Sequence, residues 1–229
     1  MVSRPILVFD VNETLLDLES LSPLFERIFG DARVMREWFA QVILYSQALT
    51  LSNDYEDFGK IGAAVLRMLG QIKTIEIRDK DLQDLRSAMS HLPPHADVRE
   101  SLDRLQRAGF RMVTLTNNAA GTATVQLQHA DIADFFERIF SIDDGVHRYK
   151  PARECYESVA RALDVGTAEC LLIACHTWDT LGAASAGMQS ALVMRAGNAP
   201  LGVGRQPDFV GTNLSSVTNW LLSRVSASR

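Results

Sequence analysis

The sequence lacks the features of a membrane protein, of a disulfide-rich secreted protein and of a zinc-thiolate protein. Its 229 residues include three cysteines, Cys155, Cys170 and Cys175, and no two of them have the CxxC spacing. An odd number of unclustered cysteines argues against a disulfide framework or a thiolate zinc site. No apolar run approaches the roughly 18 residues of a membrane span, and the first residues lead into an apolar strand without a signal-peptide pattern. We therefore predict a cytoplasmic protein that is not bound to a membrane.

The sequence also has fewer positively charged residues than negatively charged ones. The chain has 23 Lys and Arg residues against 28 Asp and Glu, a net charge of −5 at pH 7. An acidic chain without a basic patch argues against a nucleic acid as partner. The hydrophobic fraction of 47% and the charged fraction of 22% are ordinary for a globular protein. At roughly 150 residues per domain, the length allows one large domain or a domain with a sizeable insertion.

Short apolar runs alternate with helical patterns over most of the chain. The predicted strands are residues 6–11, 111–116, 139–142, 170–174, 191–194 and 209–210. From about residue 15 to residue 95, apolar side chains recur only at helical spacing. Strands that alternate with helices predict a parallel sheet. We therefore predict an α/β fold with a Rossmann-like core of residues 1–14 and 97–229, into which residues 15–96 are inserted as an all-helical cap domain.

Polar residues follow four of the predicted strands. They are Asp10 with Asn12 and Thr14, Thr116 with Asn117, Tyr149 with Lys150, and His176 with Asp179. Ligands of open α/β sheets bind at the C-terminal ends of the strands, so we expect these side chains to meet in one crevice. A single strand-end aspartate can equally cap a helix. Four polar ends together favour a functional site that holds two carboxylates and an ammonium.

This combination of motifs resembles the haloacid dehalogenase superfamily over essentially the whole chain. The matching segments are Asp10–Leu15 (DVNETL), Thr116-Asn117, Lys150-Pro151 and Trp178-Asp179. The first segment, together with YKPARECY at residues 149–156, looks like the type II 2-haloacid dehalogenase branch. That resemblance implies a homodimer that needs no metal and no other cofactor.

Asn12 separates this branch from the phosphatases of the superfamily, which carry a second aspartate at that position as general acid and base. An asparagine amide cannot transfer that proton. The resemblance therefore implies hydrolysis of short (S)-2-haloacids to (R)-2-hydroxyacids through an ester on Asp10. Three alternatives stay open: hydrolysis of another 2-substituted carboxylate such as a strained ring amine, a small-molecule phosphatase, and a non-catalytic member of the fold.

The resemblance also implies a role for each polar residue. Asp10 is the nucleophile and Lys150 keeps it ionised, while Thr14 hydrogen-bonds to it. Asp179 orients Lys150 or activates the hydrolytic water. The expected substrate-binding residues are Val11 through its backbone N–H, Asn12, Thr116, Asn117, Trp38, Phe39, Tyr156 and Trp178. Core packing is the alternative for Tyr156 and the favoured alternative for Trp178.

Two positions depart from the type II pattern. Phe39 stands where those enzymes carry an arginine that receives the halide, and the nearby Arg33 and Arg36 are predicted to face away. His176 stands where they carry an asparagine that helps to place the hydrolytic water.

Departure of the halide would then be stabilised by the edges of aromatic rings, by the indole N–H groups of Trp38 and Trp178, or by a protonated His176. A neutral His176, with an ordinary pKa of about 6.5, could instead be the base for ester hydrolysis. It could also be a hydrogen-bonding strut, and these roles stay open.

Overall fold

A sheet of six parallel strands forms the centre of the molecule, whose computed structural model describes residues 4–226. The strands are β1 (Ile6–Phe9), β2 (Met112–Thr116), β3 (Arg138–Ser141), β4 (Cys170–Ala174), β5 (Gln189–Val193) and β6 (Phe209–Gly211). Their order across the sheet is β3-β2-β1-β4-β5-β6. The predicted α/β fold with a Rossmann-like parallel sheet is therefore confirmed.

β1 lies between β2 and β4. Leu7 pairs with Met112 on one side and with Leu171 on the other. Every residue of β1 and of β4 is buried. A strand covered on both faces needs apolar side chains at every position, which explains the continuous apolar runs. The C-terminal ends of these strands, which Asp10 and Cys175 follow, therefore lie side by side.

Four α-helices occupy residues 22–90 of the segment that follows β1. They are α1 (Ser22–Phe29), α2 (Val34–Leu51), α3 (Phe58–Ile72) and α4 (Asp79–Ser90). Gly62 of α3 lets α2 approach, because a Cβ at this position would lie 3.3 Å from Cζ2 of Trp38. The helical spacing predicted for this segment is thus present. That residues 15–96 form a separate cap domain stays a prediction.

The two connections between these helices and the sheet run next to each other. The backbone N–H of Asp17 donates to the Pro93 carbonyl at 2.7 Å, and that of His95 donates to the Leu15 carbonyl at 3.0 Å. The helical segment therefore leaves and rejoins the core at one place, a few residues from Asp10.

Five further helices cover the sheet. They are α5 (Val98–Arg107), α6 (Ala120–His129), α7 (Arg153–Ala162), α8 (Thr177–Ser185) and α9 (Leu214–Ser226). Asp97 directly precedes α5, and its carboxylate accepts from Arg195 at 2.9 Å and from the Leu214 N–H at 2.7 Å. Gly109 follows α5 with φ +77°, the left-handed conformation that commonly ends a helix. Within residues 4–226, no helix combines the length and the apolar character needed to cross a membrane.

Candidate active site

Asp10 lies directly after β1 with its carboxylate buried and held on both oxygens. Its Oδ1 accepts a hydrogen bond from Lys150 Nζ at 2.8 Å, and its Oδ2 accepts one from Thr14 Oγ1 at 2.6 Å. The Thr14 hydroxyl in turn accepts from the Cys175 N–H at 2.9 Å, which fixes its direction. Burial alone would raise the pKa of Asp10, but Lys150 and then His176 outweigh it and hold that pKa below its usual range. The carboxylate is therefore ionised and oriented.

Lys150 precedes α7 and points back into the core. Its Nζ donates to Asp10 Oδ1 at 2.8 Å, to Asp179 Oδ2 at 2.6 Å and to the Leu115 carbonyl at 3.1 Å. An ammonium has three protons to donate, and all three have partners here. Burial lowers the pKa of Lys150, but the charges of Asp10 and Asp179 have a larger effect in the opposite direction. The pKa of Lys150 therefore lies above its ordinary value. Lys150 is therefore a permanent cation beside Asp10.

Asp179 lies behind Lys150, at the start of α8. Its Oδ2 accepts from Lys150, and its Oδ1 accepts from the Tyr156 hydroxyl at 2.5 Å. The side chains of Asp179 and Tyr156 are both fully buried. Burial raises the pKa of Asp179, although Lys150 pulls it down. The structure thus places Tyr156, which the resemblance put at the substrate, behind the site as a support for Asp179.

A small pocket lies over Asp10. Its lining comes from the C-terminal edge of the sheet and from helices α2 and α3. The sheet edge contributes Asp10, Asn12, Thr116, Asn117, His176 and Trp178, and the two helices contribute Phe39, Ile43 and Phe58. Five of the predicted substrate-binding residues, Asn12, Phe39, Thr116, Asn117 and Trp178, are thus at the pocket. The polar groups lie at the strand ends and the apolar ones face them from the helices. The pocket therefore has one polar side and one apolar side.

Trp38 is a predicted substrate-binding residue that the structure places elsewhere. The Trp38 indole N–H donates to the Gly62 carbonyl at 2.9 Å, and its ring packs on Phe25 with centroids 5.4 Å apart. It is therefore turned toward the other helices and cannot offer its N–H to a leaving group. Successive residues of a helix point about 100° apart, so Phe39 faces the pocket while Trp38 does not. The Val11 side chain is buried in the core, and the binding of substrate by its backbone N–H stays a prediction.

Asn12 and Asn117 are held by neighbours on other segments. The Asn12 amide forms reciprocal 3.3 Å hydrogen bonds with the amide of Asn118, and Gln126 also donates to its oxygen at 3.3 Å. Asn117 accepts from the Lys150 N–H at 3.2 Å. Both amides at the pocket are thus fixed before any ligand arrives.

His176 lines the pocket between Asp10 and a buried carboxylate that sequence reasoning missed. Its Nδ1 lies 3.5 Å from Asp10 Oδ2, and its Nε2 donates to Glu13 Oε2 at 2.6 Å. The other oxygen of Glu13 accepts from the guanidinium of Arg36 on α2. Arg36 thus points away from the pocket, as predicted, and reaches the site from behind. Arg33 is exposed and pairs with Asp31.

A family model described as haloacid dehalogenase-like hydrolase matches residues 5–187 of this chain. The chain belongs to this family. It is 27% identical to (S)-2-haloacid dehalogenase of Pseudomonas sp. (strain YL) over 92% of this chain and 91% of that protein. It is 28% identical to (S)-2-haloacid dehalogenase 4A of Burkholderia cepacia over 84% of each protein. The solved L-2-haloacid dehalogenase of Xanthobacter autotrophicus, with chloropropionic acid covalently bound, has a TM-score of 0.86 and 24% identity, covering 96% of this chain and 98% of that one.

In this haloacid dehalogenase-like hydrolase, His176 carries a positive charge at neutral pH. Burial by itself would lower the pKa of His176, but the interactions with Cys175 and Asp10 outweigh burial and raise it to about 10. The neutral imidazole with an ordinary pKa, considered from the sequence, is therefore not the resting form. A protonated His176, the other charge state considered, agrees with the site.

Asp10, Cys175 and His176 are the residues of the dehalogenase-like site that could approach a metal ion, since they offer ligand atoms within 4.8 Å of one another. An ammonium already lies 2.8 Å from Asp10, and a protonated imidazole has no lone pair for a metal. Two positive charges at this place oppose a third. We therefore assign no metal to this cluster.

Glu13 was missed because nothing in its neighbourhood along the chain marks it as buried. An acidic residue in a polar turn is ordinarily solvated. The one available signal was its place between Asn12 and Thr14, inside the segment that carries the family motif of this hydrolase.

Proposed function

We propose that this hydrolase converts short (S)-2-haloacids to (R)-2-hydroxyacids through an ester on Asp10. The observation that carries the proposal is a buried, ionised Asp10 that shares one ammonium with Asp179 and faces a small pocket with one polar and one apolar side. The curated relatives named (S)-2-haloacid dehalogenase support the substrate class, and they match more than four-fifths of this chain.

In the first step, the Asp10 carboxylate attacks the carbon that bears the halogen, from the side opposite the halide. One C–O bond forms while the C–halogen bond breaks, which inverts the stereocentre. Lys150 contributes by keeping Asp10 ionised, because its ammonium lies 2.8 Å from the carboxylate in a buried site. Fixed geometry between the nucleophile and a bound carbon replaces a bimolecular encounter, and this effect alone accelerates such reactions strongly.

The substrate carboxylate has three neutral partners at the strand ends. Asn12, Thr116 and Asn117 line the same side of the pocket as Asp10. Hydroxyl and amide groups can bind a carboxylate through hydrogen bonds without adding a further cation beside Lys150 and His176. We therefore assign these three residues to the substrate's carboxylate end, and the apolar wall to its halogen end.

In the second step, water attacks the carbonyl carbon of the ester on Asp10 and releases the hydroxy acid. The new carboxylate oxygen comes from that water. Both oxygens of Asp179 are already occupied, by Lys150 and Tyr156. We therefore assign Asp179 to holding Lys150 in place and not to activating the water.

The test is a single turnover of (S)-2-chloropropionate in heavy-oxygen water with excess enzyme. The label should enter Asp10, and the unlabelled oxygen of Asp10 should leave in (R)-lactate. Asp10→Asn is the control and should release no chloride. Label in the product alone, or lactate of retained configuration, would contradict the covalent displacement.

The apolar wall of the pocket favours one alternative substrate class. Phe39, Ile43 and Phe58 carry no positive charge that would receive a departing halide. A strained ring amine next to a carboxylate stays attached to the product after displacement and needs no such anion site. Release of chloride from 2-chloropropionate at a rate far below ring opening of such an amine would favour this alternative.

Family resemblance further leads us to propose a homodimer. Sedimentation equilibrium should give twice the mass of the chain, and a monomer at all concentrations would contradict it.

A further inference from the structure

Glu13 occupies a backbone conformation that side-chain-bearing residues rarely adopt. Its φ is +65°, in the left-handed region that favours glycine, and 2% of the residue is exposed. The His95 ring holds its carbonyl at 2.9 Å through Nε2. Strained residues of this kind persist where the surroundings over-determine them, and they concentrate at functional sites. Both features indicate that the buried carboxylate of Glu13 has a specific task at this site.

The contacts of Glu13 lock it in a single orientation. Arg36 binds its Oε1 and also donates to Glu19 Oε1 at 2.6 Å and to the Ala196 carbonyl at 2.7 Å. The other oxygen accepts from His176 Nε2 at 2.6 Å. Helix α2, the turn after β1 and the end of β4 therefore meet at one carboxylate.

This carboxylate determines which nitrogen of His176 is free to react. With Nε2–H directed at Glu13, the remaining nitrogen is Nδ1, which lies 3.5 Å from Asp10 Oδ2. The ring cannot turn away, since it stacks on Trp178 with centroids 4.8 Å apart and contacts Phe39 on its other side at 5.8 Å. A carboxylate that holds an imidazole in one orientation, with the opposite nitrogen aimed at the reaction, is the arrangement of a general base and its partner.

The position of Nδ1 decides between the two functional roles that the sequence left open. In an in-line displacement, the halide departs on the far side of the reacting carbon from Asp10. A nitrogen 3.5 Å from an oxygen of Asp10 is on the near side, next to the carbon that water must attack. Asp179 is the other candidate base, but its two oxygens are occupied and it is fully buried.

We propose that His176 Nδ1 is the base that activates water for hydrolysis of the ester on Asp10, with Glu13 as its positioning residue. This inference rests on the proposed function. It adds two residues to the second half of the reaction, one of which no sequence pattern marked.

The protons balance over the cycle. In the resting protein, His176 is protonated beside the Asp10 carboxylate. Ester formation removes that negative charge, so the pKa of His176 falls and its proton leaves to solvent as the halide departs. Neutral His176 then takes a proton from water while the water oxygen bonds to the ester carbon. It returns this proton to the alcohol oxygen as the C–O bond breaks, and the Asp10 carboxyl that results loses its own proton as His176 is protonated again.

Charged and titratable groups from several parts of the fold lie around His176 and its partners Asp10 and Glu13. They are Asp10 after β1, Glu13 and His95 in the connecting segments, Cys175 after β4, Arg36 on α2 with its partner Glu19, and Lys150 before α7. Of these, only Asp10 loses its charge when the ester forms. The charge state of His176 therefore follows the reaction stage.

Glu13→Gly and Glu13→Gln test the positioning role, and His176→Gln tests the base. Glycine suits the φ of +65° at position 13, so this variant removes the carboxylate while relieving the backbone. Glu19→Gln is the matched control, because it removes another carboxylate that binds Arg36 but does not contact His176. Rapid-quench kinetics with (S)-2-chloropropionate and mass spectrometry of the protein measure chloride release and ester separately.

We expect chloride to appear in a first-turnover burst in each variant while the ester accumulates. Ester hydrolysis should slow by at least about 100-fold in His176→Gln and by about 10- to 100-fold in the Glu13 variants. The pH dependence of ester hydrolysis should shift in Glu13→Gln, and Glu19→Gln should behave as the wild type.

Unchanged ester hydrolysis in His176→Gln would overturn the base assignment. Chloride release that falls together with product, without ester, would place His176 in the first step and overturn the proposal as well. A wild-type protein that neither releases chloride nor forms an ester would instead refute the proposed function itself, together with the inference that rests on it.

Discussion

Replacing Lys150 with methionine is the perturbation whose energetic effect the structure defines best. The ammonium lies 2.8 Å from Asp10 and 2.6 Å from Asp179, and 1% of its side chain is exposed. A single pair at 2.8 Å is worth about 6 kcal/mol at an effective dielectric constant of about 20. Removing one partner of such a buried pair costs about 3–5 kcal/mol after relaxation. Methionine fills nearly the same volume, so this cost reflects charge rather than a cavity.

The pH dependence of Lys150→Met has a definite sign. In the wild type, Lys150 helps to hold the pKa of Asp10 below its ordinary value, so the ionised form stabilises the fold above the ordinary carboxylate range and this contribution is lost as the pH falls. In the variant, burial and mutual repulsion raise the pKa of both carboxyl groups above that range. Its free energy of unfolding should therefore fall relative to the wild type as the pH rises from about 5 to about 8.

Urea denaturation followed by circular dichroism measures this difference at both ends of that pH range. Turnover should fall between about 10² and 10⁴-fold at neutral pH, the rate equivalent of 3–5 kcal/mol. Lys60→Met is the control, since Lys60 pairs with Glu56 at 2.9 Å but is 70% exposed, and screened surface pairs contribute little. An equal loss of stability at low and at high pH would show that packing, and not charge, accounts for the effect and would refute the reasoning.

Contacts behind and beside the pocket determine how three other perturbations act. Tyr156→Phe removes the 2.5 Å donor to Asp179 and should lower the free energy of unfolding by about 1–3 kcal/mol in urea denaturation; wild-type stability would show that Asp179 does not depend on this hydroxyl. Trp38→Phe leaves the Gly62 carbonyl without its 2.9 Å donor and should cost about 1–3 kcal/mol, while KM for 2-chloropropionate stays unchanged because Trp38 does not line the pocket; a raised KM would contradict that placement. Dialysis against EDTA should leave chloride release unchanged, because Lys150 supplies the cation beside Asp10; activity that returns only with magnesium would contradict the role of Lys150.

The sheet and the polar half of the site could be predicted from the sequence because both depend on local pattern. Continuous apolar runs are required of strands covered on both faces, and parallel connections bring the C-terminal ends of neighbouring strands to one edge. Asp10, Lys150 and Asp179 each follow or adjoin such an end. Their convergence, seen in the contacts of 2.8 Å and 2.6 Å to Lys150, follows from topology once the strands are recognised.

The direction of individual side chains needed the packed structure. Trp38 and Phe39 are adjacent and both aromatic, yet Trp38 packs against α3 while Phe39 lines the pocket. Tyr156 is equally suited to a substrate or to a support, and only the position of Asp179 assigns it to the second. Helical spacing determines the angle between neighbours but not which of them meets which surface.

By itself, the sequence determined the fold class and the family, and it marked Asp10 and Lys150 as residues of one site, since short motifs and hydrophobic periodicity carry this information. Tertiary structure alone decided which groups surround His176 and that Glu13 is buried against it. These two residues are 163 positions apart and meet at 2.6 Å in a buried site. The pKa of a buried group depends on which charges surround it and on how much water is excluded, and both are properties of the folded chain.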